Sequence, residues 1–131
     1  MAAEMVTDRW EGVRNKASVV PDATWKAVAE AINALDGSVR TLVSIVYKHP
    51  SLISIGGGGS NGLYVVQATD DGERFKVASR EADQTQKVMI TAGGQEGDYL
   101  ARRCVDLATA LRAARTFTST GQMDPTINWE E

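Results

Sequence analysis

The sequence is poor in the residues that build metal sites, disulfides and membrane spans. Cys104 is the only cysteine and His49 the only histidine in 131 residues. A lone cysteine cannot form an internal disulfide, which is typical of proteins in a reducing cytoplasm. No spacing of ligand residues suggests a metal site, and we expect no cofactor. Apolar runs are far too short to cross a bilayer, and the first nine residues lack the basic start and apolar centre of a signal peptide.

The sequence also lacks an excess of positive charge. Residues 1–65 carry six bases and six acids, whereas residues 66–131 carry eight bases and eleven acids, so the net charge of −3 lies in the second half. Proteins that bind nucleic acid usually present a basic stripe to phosphates, so we expect no direct nucleic-acid partner. A mildly acidic face suits a basic partner, such as the substrate channel of a nuclease or deaminase. Alternatively, the acids simply keep a small protein soluble.

What is present is the composition of an ordinary globular domain. Hydrophobic residues make up 43% and charged residues 24% of the chain. The length suits a single domain over 1–131. Residues 1–20 form an uncertain extension, in which 5–7 and 17–20 could each be a short strand and Trp10 would lie at a strand end.

Apolar residues at steps of three and four predict a first helix over about 23–35. The stripe consists of Trp25, Val28, Ala29, Ile32 and Leu35. Asp22 is suited to cap its N-terminus, and Gly37 to end it with a positive φ.

A series of strands follows this helix. Five segments fit, at 41–47, 52–55, 63–68, 74–78 and 87–91. The glycine-rich run 56–62 predicts a flexible connection without regular structure. Asp70-Asp71-Gly72 predicts a hairpin turn in which the Asp-Gly pair adopts positive φ, with Phe75 and Val77 then on one face of the next strand. Gly93-Gly94 ends the fifth strand.

The last third of the chain has two possible readings. Residues 99–117 fit one long helix, or 99–105 are extended and Asp106 caps a shorter helix at 107–118. Gly121 ends the helix in either case, and 126–129 predicts a final short strand. The order of elements predicts an α+β fold, with an antiparallel sheet of about five to six strands and two main helices packed on one face.

Catalytic motifs are not apparent. The glycine run lacks the lysine and the following helix of a P-loop. His49 precedes Pro50 at a strand end and is expected to be a solvated loop residue, while Cys104 is expected to be a buried structural thiol. We therefore expect no enzyme, although a small enzyme or ligand-binding domain that uses His49 and the glycine run stays open as an alternative.

The most specific pattern lies at the C-terminal end. Its motifs are Cys104-Val105-Asp106, the alanine-rich segment 110–117, Thr120-Gly121, Asp124-Pro125 and Asn128-Trp129-Glu130. Together they resemble the C-terminal signature of a bacterial immunity-protein family, the first in the numbered series attached to polymorphic toxin systems. The likeness extends over roughly residues 20–131 and leaves the first twenty residues without a counterpart.

This resemblance implies a small cytoplasmic α+β protein that binds and neutralises a cognate toxin domain. Toxins paired with the family include nucleic-acid deaminases and nucleases. The resemblance favours the break at Asp106 over one long helix. It also implies a structural role for the signature residues Trp25, Phe117, Gly121, Pro125 and Trp129.

Our leading hypothesis is an immunity protein that covers the active site of the toxin with acidic side chains and loops. The predicted contact residues are Gly57, Gly58, Gly59, Ser60, Asn61, Asp70, Asp71, Glu73, Glu96 and Asp98. A second hypothesis is a non-catalytic accessory subunit that binds and stabilises a biosynthetic enzyme. The oligomeric state is left open.

Overall fold

The computed structural model describes residues 3–131, so residues 1 and 2 of the uncertain extension lie outside the described residues. The strands are β1 (Ala3–Thr7), β2 (Trp10–Glu11), β3 (Arg14–Asn15), β4 (Ser18–Ala23), β5 (Leu42–Lys48), β6 (Ser51–Gly57), β7 (Tyr64–Thr69), β8 (Lys76–Ser79), β9 (Lys87–Ala92), β10 (Gln95–Leu100) and β11 (Asn128–Glu130). The helices are α1 (Trp25–Asn33) and α2 (Leu107–Thr120), with a short 3-10 turn at Ala101–Arg103.

Seven of these strands form one antiparallel sheet in the order β11-β8-β7-β6-β5-β1-β4. Both helices pack on one face of it, which confirms the predicted α+β architecture. The sheet has seven strands rather than five to six because the N-terminal segment adds β1 and β4 beside β5. The strands predicted at 5–7 and 17–20 are therefore confirmed, although β4 begins only at Ser18.

The main core lies between the helices and the sheet. α1 contributes Val28 and Ile32, α2 contributes Phe117, and Ile45 and Ile53 face them from the sheet, all with 1% or less of their surface exposed. Alanines on the inner face of α2 at 110, 113 and 114 are also buried. Small side chains let the helix lie close to the strands, and burial of this apolar surface is the main favourable contribution to folding.

The opposite face of the sheet is partly covered by the β9–β10 hairpin. A second apolar cluster joins Val65 of the sheet, Ile90 of the hairpin and the fully buried Cys104. Burial raises the pKa of the Cys104 thiol above its usual range, although the charge of Arg80 opposes this. The prediction of a buried thiol is confirmed.

The predicted boundaries of α1 are wrong at both ends, whereas α2 begins at the predicted residue and ends at Thr120, two residues later than predicted but before the predicted Gly121. Thr24 caps α1, and its Oγ1 accepts a hydrogen bond from the amide of Ala27. Asp22 cannot cap the N-terminus of α1 because β4 continues to Ala23. The C-cap is Ala34 rather than Gly37.

In α2, the side chain of Asp106 accepts from the Thr109 amide at 2.8 Å. Gly121 ends the helix with a φ of +72°. The break at Asp106 is therefore confirmed, and the single helix over 99–117 is wrong. Tyr99 lies in β10, a strand that was not predicted, and Val105 forms a bridge with Tyr64 of β7. The last strand is confirmed as β11, although it begins at Asn128 rather than at residue 126.

Two turn predictions are also wrong. The loop does not begin at Gly56, because Gly56 and Gly57 extend β6. A Cβ on Gly56 would lie 2.5 Å from that of Ala92, so the glycine lets the hairpin approach the sheet. After β7 the chain forms a longer turn, in which Gly72 alone has positive φ. β8 starts only at Lys76, which leaves Phe75 outside the strand and 41% exposed.

Candidate functional site

The structure divides the predicted contact residues between two ends of the sheet. The loop 58–63 joins β6 to β7, and the turn 70–75 joins β7 to β8, so they lie at opposite ends of β7. Five residue steps of about 3.3 Å along β7 separate them by about 17 Å. We call the loop 58–63 with the β9–β10 hairpin the hairpin end, and the turn 70–75 with the adjacent β5–β6 turn the turn end. The predicted residues therefore do not form one compact patch.

At the hairpin end, the glycine loop is bonded to its neighbours. The Gly58 amide donates to the Leu63 carbonyl at 3.2 Å, and the Gly62 amide donates to the Gly59 carbonyl at 3.0 Å. Asn61 uses both ends of its side-chain amide. Its Oδ1 accepts from the Leu63 amide at 3.1 Å, and its Nδ2 donates to the Met89 carbonyl of β9 at 3.0 Å. The loop is thereby attached to the hairpin.

Close backbone contacts explain the glycines of this loop. A Cβ on Gly58, whose φ is +84°, would lie 2.6 Å from the Leu35 carbonyl oxygen. A Cβ on Gly37 would lie 2.7 Å from the Cα of Gly59. The segment that follows α1 and the glycine loop therefore pack backbone against backbone. Gly57 is buried, whereas Ser60 and Asn61 are exposed and available to a partner.

The outward face of the hairpin carries the two predicted acids. Because side chains alternate along a strand, Ile90 faces the sheet while its neighbours on β9 face outward. Met89 is paired with Asp98 and Thr91 with Glu96. Both acids are exposed, and Met89 is 49% exposed. The four ion pairs within residues 3–131 lie elsewhere, so neither acid is neutralised by one.

An open cleft of about 470 Å³ separates the hairpin from the glycine loop. It is lined in part by Asp36, Gly59, Ser60, Asn61, Met89 and Glu96. The fold therefore brings five predicted contact residues, Gly57 and Gly59–Asn61 together with Glu96, to one site. Met89 also lines this cleft, although it was not among the predicted contact residues. Its outward position could be found only once the pairing of β9 with β10 was known.

Asp36 is a second residue of this cleft that was not predicted. Its Oδ1 accepts from the amides of Ser38, Val39 and Arg40 at 2.8, 2.9 and 3.0 Å. Burial on its own would raise the pKa of this carboxyl, but the three hydrogen bonds and the charge of Arg40 lower it overall. The sequence did contain a signal, because an Asp-Gly pair after a helix is typical of a turn held by an Asp side chain.

At the turn end, one of the three predicted acids is already engaged. Asp71 Oδ1 accepts from the amides of Arg74 and Glu73 at 2.9 and 2.8 Å and from Thr69 Oγ1 at 3.0 Å. These bonds, in that order of importance, lower the pKa of the Asp71 carboxyl. Asp70 and Glu73 are exposed. Asp71 therefore holds the turn, and its two neighbours present their charge to solvent.

A cleft of about 650 Å³ lies beside this turn, between the β5–β6 turn and the end of α2. Its lining includes Tyr47, His49, Asp70, Phe117 and Gln122. His49 is exposed, as predicted for a solvated loop residue. Cys104 lies in the apolar cluster on the other side of the sheet from the helices, so the two residues do not form a nucleophile pair.

The signature residues make contacts within the fold. Trp25 packs against the main core, and the Arg115 guanidinium lies 5.7 Å from the centre of its ring. Phe117 is buried at 1% exposure, and a Cβ on Gly121 would collide with the ring of Tyr47. The indole of Trp129 donates to the Asp124 carbonyl at 2.9 Å.

Pro125 is the exception among the signature residues, because it is exposed. It follows Asp124, a buried residue whose Oδ1 accepts from the Thr126 amide at 2.8 Å and whose Oδ2 accepts from Thr116 Oγ1 at 2.8 Å. The proline therefore lies in a turn whose shape is held by its neighbours.

Comparison with known families adds what geometry alone does not show. The sequence profile of the family described as Immunity protein Imm1 matches residues 16–131. The chain belongs to the Imm1 family of immunity proteins. No curated protein and no solved structure shows significant similarity to it. The Imm1 match confirms the resemblance of the C-terminal motifs, and it includes both the hairpin end and the turn end. β1, β2 and β3 lie before the matched region.

The described part of this Imm1 protein shows neither a metal-binding cluster nor a membrane-spanning helix. Within residues 3–131, no group of three or more His, Cys, Asp or Glu side chains is placed to hold a metal ion. None of the helices in that range is long and apolar enough to span a membrane.

Proposed function

We propose that this Imm1 protein binds a cognate toxin domain in the cytoplasm and neutralises it by covering the toxin's active site, without catalysis of its own. Membership of an immunity-protein family over residues 16–131 is the observation that carries the proposal. The main contact surface in this proposal is the hairpin end, with Glu96, Asp98, Ser60 and Asn61 as contact residues and Met89 beside them.

The hairpin end has the properties of a protein-binding surface. Its outward face is a hydrogen-bonded two-stranded ladder, so the directions of its side chains are set by the pairing of β9 with β10. The exposed Met89 lies directly opposite Asp98, and Thr91 lies opposite Glu96. An apolar contact with polar neighbours is the usual arrangement of a protein interface. Methionine also adapts its shape to a partner surface.

The charge of this face indicates what kind of toxin it suits. Deaminases and nucleases that act on nucleic acid need positive charge where the phosphates bind, and the two carboxylates of Glu96 and Asp98, which form no ion pair, complement such a channel. We therefore propose a nucleic-acid-processing toxin as the partner. Attraction between exposed charges speeds association and selects the partner, and it weakens as salt concentration rises.

The turn end is a secondary contact in this proposal. A standard interface covers about 800 Å² on each partner, an area wide enough to extend from one end of β7 to the other. Asp70 and Glu73 present free carboxylates there, but two bases, Arg74 and Lys76, follow them directly. The formal charge over 70–76 is −1, the same as over the hairpin at 87–100, so charge does not rank the two ends. The turn end is placed second because one of its three acids, Asp71, is engaged in holding the turn.

Matched double substitutions test the proposal with the cognate toxin domain, sought first among the genes beside this one. Glu96→Gln with Asp98→Asn removes two charges at the hairpin end, and Asp70→Asn with Glu73→Gln removes two at the turn end. At low salt, we expect the first pair to slow association about tenfold and the second to change it less than about twofold. Association rates by surface plasmon resonance and protection of cells that co-express the toxin are the measurements.

Three results would contradict parts of the proposal. If the wild-type protein neither binds nor protects against the adjacent toxin, its proposed function fails for that toxin. Stable binding to a metabolic enzyme encoded in the same operon would favour the accessory-subunit hypothesis instead. A turnover that His49→Ala abolishes would overturn the claim that the protein has no catalysis of its own.

A further inference from the structure

A buried carboxylate lies in the N-terminal segment, before the region matched by the Imm1 profile. Asp8 directly follows β1 and is only 6% exposed. Its Oδ1 accepts from the amides of Thr41 and Leu42 at 2.7 and 2.9 Å. Its Oδ2 accepts from the indole of Trp10 at 2.7 Å and from the hydroxyl of Thr41. Because an unpartnered buried carboxylate is costly, four donors on one side chain indicate a site built to hold it.

The hydroxyl of Thr41 extends this network to the hairpin. Thr41 is fully buried, and its Oγ1 accepts from the Gly94 amide at 2.9 Å. Its carbonyl accepts from the Gly57 amide at 3.2 Å. The ring of Trp10 packs directly on Gly94, since a Cβ on this glycine would lie 2.3 Å from it. Asp8, Trp10 and Thr41 therefore converge on the turn between β9 and β10.

This turn is one of three places where a hydrogen bond ties the hairpin strands or their turn to another part of the described chain. The first is the bond from Asn61 to the Met89 carbonyl, in the middle of β9. The second is the bond from the Gly94 amide to Thr41, only two residues before Glu96. The third is a weak bond from the Cys104 thiol to the Leu100 carbonyl at 3.5 Å, at the far end of β10. Apart from these three bonds, side-chain packing and the chain connections of the hairpin determine how it lies on the sheet.

We propose that Asp8 and Thr41 are positioning residues for the toxin-binding face. They hold the β9–β10 turn through the Gly94 amide and so set the direction in which Glu96 and Asp98 point. The inference rests on the proposed function for its binding consequence, whereas its structural consequence can be measured on the free protein. It gives Asp8 and Trp10, which precede the family match, a defined role in presenting a face that lies within it.

The test compares Thr41→Val with Thr41→Ser. Valine has nearly the shape of threonine but lacks the hydroxyl, so the Gly94 amide loses its acceptor and Asp8 Oδ2 loses one of its two donors. Serine keeps the hydroxyl and loses a methyl group. We expect Thr41→Val to speed hydrogen exchange of the Gly94 amide about tenfold and to speed toxin dissociation several-fold. Thr41→Ser should leave both rates close to those of the wild type.

A control separates positioning from a general loss of stability. Val28→Ala removes buried methyl groups from α1, on the other face of the sheet, and should lower global stability without touching the network. We expect it to leave toxin dissociation unchanged. If Thr41→Val does not fold, Asp8→Asn takes its place, because its amide N–H groups would face the indole N–H of Trp10 and break that bond.

The outcomes distinguish the two proposals. Unchanged exchange at Gly94 in Thr41→Val would overturn the positioning role, even if the wild type binds its toxin. Faster exchange with unchanged toxin dissociation would overturn it as well. If the wild type does not bind the toxin at all, the proposed function fails, and the exchange rates still report whether the network holds the hairpin.

Discussion

The two ends of the sheet both carry acidic residues, but they are built differently. At the turn end, the shape comes from local bonds: Asp71 and Thr69 bond to each other and to backbone amides within five residues. At the hairpin end, the shape comes from contacts between distant segments. The Gly94 amide bonds to Thr41, 53 residues away, and Asn61 bonds to Met89, 28 residues away.

This difference shows why similar acidic residues need not be equivalent. A local turn can be altered at little cost to the rest of the fold. A face assembled from β9, β10, the glycine loop and the N-terminal segment changes shape when any of these moves. We therefore expect substitutions at the hairpin end to affect both stability and partner binding, and substitutions at the turn end to remain local.

The largest effect should come from filling the space left by a glycine at the hairpin end. Gly58→Ala combines a φ of +84° with a Cβ 2.6 Å from the Leu35 carbonyl oxygen, and we expect a loss of about 3 kcal/mol in the free energy of unfolding. Gly62→Ala is the matched control, since Gly62 also has positive φ but has nothing within 4 Å. It should cost about 1 kcal/mol.

Urea denaturation of both variants gives these free energies. If Gly58→Ala and Gly62→Ala lower the free energy of unfolding equally, close packing of the glycine loop does not stabilise the hairpin end, and this contrast with the turn end fails.

A smaller effect is expected from the exposed apolar side chains, one at each end. Met89 is 49% exposed on the hairpin face, and Phe75 is 41% exposed at the turn end. We expect Met89→Ala to weaken toxin binding about tenfold, because apolar side chains near the centre of an interface carry much of the binding energy. Phe75→Ala should change binding less than about twofold.

Titration calorimetry with the purified toxin domain measures both affinities. Because both side chains are largely in solvent, neither variant should differ from the wild type by more than about 0.5 kcal/mol in stability. A larger effect of Phe75→Ala on binding would move the main contact surface to the turn end.

The smallest effect concerns the dependence of stability on pH at the turn end. The native pKa of Asp71 is lowered, so the unfolded state binds a proton more readily than the folded state does. The stabilisation is therefore complete above about pH 4.5, near the top of the titration of an unfolded Asp, and is lost as pH falls through the lower native pKa. Asp71→Asn should make the fall in the urea midpoint below that pH less steep.

Asp70→Asn serves as the control for this experiment. Asp70 is exposed, and its carboxylate makes no hydrogen bond in the described part of the chain. Its urea midpoint at neutral pH should match that of the wild type, which shows that removing a carboxylate from this turn does not by itself destabilise the fold. If the curve of urea midpoint against pH for Asp71→Asn overlays that of the wild type, the bonds of Asp71 do not hold the turn.

Prediction from sequence succeeded where a signal and its structural cause lie close together. Asp106 and Gly121 bound α2 because an N-cap and a left-handed C-cap each act within one helical turn. Prediction from sequence failed where pairing with a distant segment decides the secondary structure of a residue. Asp22 is a good helix cap, but the pairing of β4 with β1 draws it into a strand, and Thr24 caps the helix instead.

The proposed contact surface could be assembled from the sequence only in part for the same reason. Gly59, Ser60, Asn61 and Glu96 were identified from composition, and the fold brings them to one cleft. Met89 could not be identified, because nothing local shows which face of β9 turns outward. Asp8 could not be identified either, since its partners at Thr41 and Leu42 lie 33 and 34 residues away.

The sequence by itself determined the α+β class, the order of most elements, the limits of α2 and the likeness to an immunity family. These properties depend on periodicity, capping residues and short motifs, all of which act over a few neighbouring residues. Only the tertiary structure decided that the acids lie at two separate ends and that the N-terminal segment completes the sheet. It also decided that a buried carboxylate from that segment reaches the hairpin turn. Such features depend on strand pairing and side-chain packing between residues far apart in the chain, whose partners local patterns do not specify.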